Sequence, residues 1–267
     1  KILICSPVWL NIFKLLEKKQ IIDKKKLFFH LVDDPESYIH LKYYLKDFKA
    51  NLKNVNGIIS PNIKLLDKFS LNKNTNLHIK HGFDIALPKY RYFNSNSNRE
   101  KSIVYAGTFA NWCDYNLIKK ISIKFPEIKI YLVGKVARNL PFYKLEYIKR
   151  CTNIICVDSL SRRNLHKLLL EMYISIIPYI PNDEHIRFSS PSKIMDYLGC
   201  GLPVISTDIF YCQNHKFVKV ARNNEEFINF IDYFLNLESF ERKEMINYAM
   251  NNSWKINVNK LLLSIKN

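Results

Sequence analysis

The sequence predicts an α/β protein made of two parallel sheets, each with helices on both faces. Three observations carry this. Strand-length apolar runs alternate with helical stretches along most of the chain, the pattern of parallel sheet rather than of hairpins. A polar stretch with no apolar residue, Asn94–Asn98, divides the alternation into two blocks. The 267 residues are 48% hydrophobic and 13% aromatic, enough for two small cores, which excludes a disordered chain.

The front block opens with a buried-strand run, Lys1–Cys5, stopped by Ser6-Pro7. Trp9, Ile12, Phe13 and Leu16 then fall at helical spacing. Leu27–Val32 is a second strand, and a long amphipathic helix is expected over Glu36–Leu52. Gly57–Pro61 and Asn62–Phe69 form the next strand and helix, and Leu77–Lys80 a fourth strand closing at His81-Gly82-Phe83-Asp84. Ile85–Lys101 is read as a linker, giving a first domain over 1–84 and a second over 102–267. The rear block repeats the alternation, with strands at Ser102–Ala106, Ile128–Val133, Asn153–Val157, Ile174–Pro178, Pro203–Ser206 and Phe217–Ala221. Its helices are expected at Asp114–Phe125, Phe142–Arg150, Arg162–Met172 and Pro191–Cys200, then Asn224–Leu235, Phe240–Asn251 and Trp254–Ile265. In open parallel sheets ligands sit beyond the carboxyl ends of the strands, so chemistry is sought there.

Composition removes several classes. No apolar run approaches the roughly 18 to 20 residues of a spanning helix, and Lys1–Leu10 has no signal-peptide pattern. Six irregularly spaced cysteines without a CxxC pair argue against a disulfide scaffold or a zinc site and for a reducing, cytoplasmic setting. The net charge of +17 suits phosphate-rich partners or an anionic membrane surface, although Lys, Asn and Ile are abundant throughout. No G-x-S-x-G, P-loop or G-x-G-x-x-G fingerprint occurs.

The most informative stretch is Phe188–Thr207. It reads as a loop, a capped helix, a Gly stop and a buried strand. Ser190 is a good N-cap and Pro191 suits the first helical position. Amides of such a turn attract an anion. Lys193 there opposes the dipole unless an anion lies between, and Asp196, three residues on, shares its face. One cation and one carboxylate side by side suit a diphosphate and ribose hydroxyls; the plainer reading is a surface ion pair on an ordinary capped helix.

The whole string resembles the donor-binding signature of GT-B glycosyltransferases of the family 4 type. Val104-Tyr105-Ala106-Gly107-Thr108 with Trp112 and Asp114, then Tyr131–Lys135, Asn153–Asp158 and Ile177-Pro178-Tyr179, resemble the surrounding motifs in order. The resemblance implies two Rossmann-like domains, the first incomplete, with residues missing before Lys1 and C-terminal helices crossing back. It implies transfer of a sugar from a UDP- or GDP-linked donor, without metal or further cofactor, to a lipid-linked or saccharide hydroxyl. The setting it implies is bacterial surface polysaccharide or lipopolysaccharide assembly at the inner membrane. Ser190, Ser192 and Lys193, with amides at Gly107 and Thr108, would stabilise the leaving diphosphate. Lys135 would reach a phosphate, and Asp196 would accept ribose hydroxyls. Asp158 ends the strand before the nucleobase loop, where its plainer role is a cap.

Three departures stand out. Phe188 occupies the place of the family's first acid, Asp196 replaces the commoner Glu, and the front domain has about four strands instead of six or seven. Some GT-B enzymes without that acid take a base from the acceptor domain, and Asp33 and Asp34 stand at a matching strand end as the expected catalytic pair. Asp34 also fits a plain cap before Pro35. His81 is a further base candidate, with a structural role as its alternative. The competing classes are a nucleotide-sugar binder without turnover and a basic nucleic-acid-binding protein; dispersed charge and the lack of a nucleic-acid motif disfavour the last.

Overall fold

The computed structural model describes residues 2–38, 45, 48–69, 75–94, 99–213, 215–237 and 241–266. Contacts divide the chain into two compact units. One is Lys1–His81 with Arg187–Ser190 and Trp254–Asn267; the other is Gly82–Ile186 with Pro191–Ser253.

The first unit runs β1 (Ile2–Ile4), α1 (Pro7–Lys18), β2 (Leu27–His30), α2 (Phe48–Asn51), β3 (Gly57–Ser60), α3 (Ile63–Phe69) and β4 (Leu77–His78). Its four strands are all parallel and lie in the order β1-β2-β3-β4. Leu27, Phe28 and Phe29 of β2 are buried, as is all of β3. Phe48 meets Phe29 and Phe69 edge-on, with centroids 5.5 and 5.4 Å apart.

The long helix expected over Glu36–Leu52 is not continuous. Asp34 caps a single 3-10 turn, Pro35–Ser37, which ends in an extended Tyr38 (φ −101°, ψ 106°). The Tyr38 hydroxyl turns back to Asp33 at 3.4 Å. A local cap and return contact end the turn that propensity would have extended. Helix resumes at α2 and closes in a 3-10 turn, Leu52–Asn54; residues 39–44 and 46–47 lie outside the described residues.

The second unit begins with α4 (Lys89–Phe93) and continues β5 (Ser102–Ala106), α5 (Tyr115–Lys124), β6 (Lys129–Val133), α6 (Phe142–Lys149), β7 (Ile154–Val157), α7 (Arg162–Leu169) and β8 (Ile174–Ile177). Then come α8 (Lys193–Gly199), β9 (Val204–Thr207), β10 (Val218–Ala221), α9 (Asn224–Asn236) and α10 (Arg242–Asn251). Its six strands are all parallel, in the order β10-β9-β8-β5-β6-β7. Every residue of β5, β8 and β9 is buried, as a central strand covered on both faces requires. Leu117, Ile118 and Ile121 form the buried stripe of α5.

The segment read as a linker differs from expectation. Residues 85–94 and 99–101 belong to the second unit, and α4 buries Tyr92 completely. Arg99 donates to the carbonyls of Met172 and Cys200 at 3.0 Å each. Polar composition marked a boundary, but one buried aromatic and one guanidinium fasten its ends; 95–98 lie outside the described residues. The last helix, α11 (Trp254–Lys266), groups with the first unit, where Asn257 donates to the Lys80 carbonyl at 3.0 Å.

In the first unit, burial pushes the His81 imidazole down to about 4, and the nearby His30 adds to the shift; a hydrogen bond with the Ser190 backbone opposes it. The unfolded chain, with an ordinary histidine near 6.5, therefore binds more protons than the native one between about pH 6.5 and 4. Stability should fall as pH is lowered through that window, by on the order of 3 kcal/mol from His81 alone. Urea unfolding at about pH 7 and about pH 4.5 measures the loss. His81→Gln should shrink it; an equal loss in the variant would exclude His81 as its source.

Candidate functional site

The carboxyl ends of β5 and β6 approach one another through two glycines. Gly134 has φ +150°, and a Cβ there would collide with the Gly107 carbonyl oxygen. Glycine is required on both counts. The Gly107 N–H donates to Val133 O at 2.8 Å, and the Gly134 N–H to Val157 O at 2.9 Å. A cleft of about 230 Å³ opens here, lined among others by Gly107, Gly134, Leu160, Arg162, Lys193 and Asp196. A larger open hollow of about 830 Å³ lies beside Ser102 and Met172. Those residues open β5 and precede β8, the end of a parallel sheet where ligands seldom bind.

Lys193 carries the positive charge of the cleft. Its ammonium bonds to the Tyr179 hydroxyl and lies 4.5 Å from the Tyr105 ring centroid and 4.8 Å from that of Tyr179. Two aromatic faces thus hold a half-buried cation. A Cβ at Gly107 would fall on this ammonium, so that glycine keeps the space beside the charge open. The Tyr105 hydroxyl donates to Thr108 O at 2.9 Å, and burial raises its pKa well above the usual phenol value, so it stays neutral. The cleft therefore presents a fixed cation against bare backbone, an arrangement suited to an anionic oxygen.

Asp196, one turn beyond Lys193, is buried and answers to other partners. Arg162 donates Nη1 to Oδ2, and His166 Nε2 lies 3.0 Å from Oδ1. The network fixes the histidine tautomer. The Tyr92 hydroxyl accepts the N–H groups of Ala86 (3.1 Å) and Leu87 (3.0 Å), which occupy its lone pairs. Its proton is thus directed to His166 Nδ1 at 2.9 Å. Nδ1 accepts, so Nε2 carries the hydrogen and donates it to Asp196. Phe83 stacks on the imidazole at 5.3 Å and 20°. Arg162 also reaches Asp84, with Nε 3.7 Å from Oδ2.

The cleft brings together Gly107, Ser192, Lys193 and Asp196 from the expected set. Thr108, Lys135 and Asp158 are exposed and do not line it. Four expectations need correction. The Gly107 amide is already bonded to Val133, so Gly107 supplies space and not a donor. Ser190 is not the cap: α8 begins at Lys193, and Pro191 and Ser192 form a tight i→i+3 first turn (Ile194 N–H to Pro191 O, 3.3 Å). Ser190 groups instead with the first unit, its buried hydroxyl without a hydrogen-bond partner among the described residues. Lys193 and Asp196 do not pair: the ammonium bonds to the Tyr179 hydroxyl, and the carboxylate is taken by Arg162 and His166.

The fourth concerns Asp34, in the first unit. Its Oδ1 caps Glu36 N–H at 3.0 Å and its Oδ2 takes the Lys68 ammonium at 2.6 Å. Both oxygens are engaged and the side chain is buried, so Asp34 does not present a free oxygen to an acceptor hydroxyl. Asp33 is exposed, with the Tyr38 hydroxyl 3.4 Å from its Oδ2. Phe188 packs at the edge of the same core, its ring 4.9 Å from the Lys68 ammonium.

The residues that sequence reasoning missed are Arg162, His166, Tyr105 and Tyr179. Arg162 and His166 are four apart in a capped helix that follows a strand end, which places both on one face. That spacing was available; their convergence on Asp196 was not.

His166→Leu should leave two buried acceptor and donor groups unpaired and cost about 2–4 kcal/mol. Tyr92→Phe should cost about 1–3 kcal/mol and strip Nδ1 of its hydrogen-bond donor, a change visible in the Nδ1 signal in nitrogen NMR of His166, while Asp196 keeps the proton on Nε2. A Tyr92→Phe protein with native stability and an unchanged Nδ1 signal would remove this network.

No protein-family model matches the sequence, and no curated protein matches it significantly. Solved structures do match over nearly the whole chain. HepE from Anabaena, crystallised with UDP and glucose, has TM-score 0.71 at 13% identity, over 98% of this chain and 76% of that one. A glycosyltransferase from Rickettsia africae has TM-score 0.65 at 16% identity, over 97% and 80%. The pneumococcal O-GlcNAc transferase GtfA, in complex with UDP and GlcNAc, has TM-score 0.64 at 11% identity, over 99% of this chain but 56% of its own. The chain has the GT-B fold of these glycosyltransferases, two parallel-sheet α/β units.

Proposed function

We propose that this protein transfers a sugar from a nucleoside-diphosphate donor to a hydroxyl acceptor. The observation that carries the reading is the Lys193 ammonium held over the Gly107 backbone, at the carboxyl end of a parallel sheet. The crystallised neighbours that hold UDP share this fold and support UDP as the first nucleotide to try. In this reading the diphosphate lies against Lys193 and the exposed hydroxyl of Ser192. The ammonium offsets charge that grows on the leaving group as the glycosidic bond breaks, with no metal required. Asp196 faces the ribose, held by Arg162 and His166 so that a hydroxyl donor meets an oriented carboxylate. Lys135 and Asp158 lie outside the lining of this cleft.

Asp33 is the base that takes the acceptor's proton. The acceptor is a saccharide or lipid-linked hydroxyl, and the +17 charge supports work beside an anionic membrane in surface polysaccharide assembly. A nucleotide-sugar binder without turnover is the second reading. Phe188 in place of an acid and the ion-paired Asp34 favour it.

Calorimetry with UDP and GDP tests the donor site. Lys193→Ala should weaken binding about tenfold to a hundredfold, the range for a charged hydrogen bond; unchanged affinity for both nucleotides would end this assignment. Asp33→Asn should keep UDP affinity and abolish transfer. Full transfer in that variant moves the base elsewhere, and nucleotide binding without transfer or donor hydrolysis in the wild type selects the second reading.

A further inference from the structure

The α5–α6 face sets large exposed apolar side chains among lysines. On α6, Phe142 is 73% exposed and Tyr143 68%. Tyr147, one turn beyond Tyr143, is half-exposed and lies on the same side of the helix. On the adjoining α5, Ile123 is 67% exposed. The two helices meet where the Lys119 ammonium sits 3.7 Å from the Tyr147 ring centroid. Ile123 is four residues past Lys119, so it continues the same stripe. These side chains are not fillers of the fold: Leu145 and Ile148 of α6, and Leu117, Ile118 and Ile121 of α5, already supply the buried faces.

The charge around this apolar ridge is predominantly positive. Together α5 and α6 carry five lysines against a single glutamate, Glu146, which pairs with Lys149 at 3.5 Å. No arginine occurs within either helix. Projecting Phe, Tyr and Ile flanked by long lysine stems is the composition of a helix face that lies in a membrane interface. The apolar tips enter the acyl boundary, the tyrosines settle at headgroup level, and the ammonium groups reach lipid phosphates. A nucleic-acid face calls for arginine and for flat rings to stack on. Ile123 has no ring, and Lys119 covers the face of Tyr147.

We propose that the α5–α6 face docks this protein on an anionic lipid bilayer. Phe142, Tyr143 and Ile123 insert, and Lys120 and Lys124 hold the headgroups. The site is separate from the cleft around Lys193, so docking does not rest on the glycosyl-transfer reading and leaves nucleotide binding intact.

Flotation of the full chain with phosphatidylcholine vesicles, with and without phosphatidylglycerol, tests this. The wild type should float only with the anionic vesicles and should be released by salt. Phe142→Ser with Tyr143→Ser should lower partitioning about tenfold or more. Lys120→Gln and Lys124→Gln should each lower it about fivefold. All of these positions except Tyr147 and Lys119 are free of the core, and an unchanged melting temperature checks that each variant is folded. A wild type that ignores anionic vesicles, or variants that float as well as the wild type, would overturn the proposal. So would variants that lose a single-stranded oligonucleotide while keeping vesicle binding.

Discussion

A carboxylate withdrawn from water must be compensated at both oxygens, and Asp196 is where this molecule meets that demand. Left alone, such a charge would cost several kcal/mol. Arg162 neutralises one oxygen and His166 donates to the other, both from the same helix. The guanidinium comes from the first turn of α7, the imidazole from one turn further along. Tyr92 reaches the imidazole from α4 and gathers the backbone of Ala86 and Leu87 as it does so. One compensated charge thus ties α8, α7 and the opening segment of the second unit into a single arrangement. Networks of this kind specify geometry when every member is satisfied.

The cation of the cleft follows a different logic. Lys193 is matched by no carboxylate among the described residues; it rests against the rings of Tyr105 and Tyr179, and one hydroxyl accepts from it. Quadrupole attraction holds the ammonium in place without cancelling its charge. Had Lys193 paired with Asp196, as their spacing allowed, the ammonium beside the cleft would have been neutralised. Gly107 and Gly134 complete the arrangement by what they lack, since a methyl group at either position would occupy the space the ammonium and the loop carbonyl now use.

The first unit shows how ordinary structural duties absorb residues that look catalytic. Asp34 stands at a strand end, the position where chemistry is expected, yet a cap and a lysine consume it. Lys68 serves that ion pair, a second one with Glu36, and the faces of Phe69 and Phe188.

The alternation of apolar runs with helical stretches was enough to read two parallel-sheet units, because side-chain periodicity is a local property of the chain. Strand ends, the glycine turns and the lysine–aspartate helix were legible for the same reason. Local pattern failed where a tertiary partner overrode it. Residues 85–101 looked like a tether, but Tyr92 and Arg99 found buried partners far away in sequence. Ser190 looked like a cap, yet the backbone at Pro191–Ser192 turned more tightly and left it with the other unit. Sequence by itself determined which residue types would meet at the strand ends; only the folded chain decided that Asp196 takes Arg162 and His166 while Lys193 takes two tyrosines, since pairing of charges is settled by distance in space and by the cost of leaving any of them dry and alone.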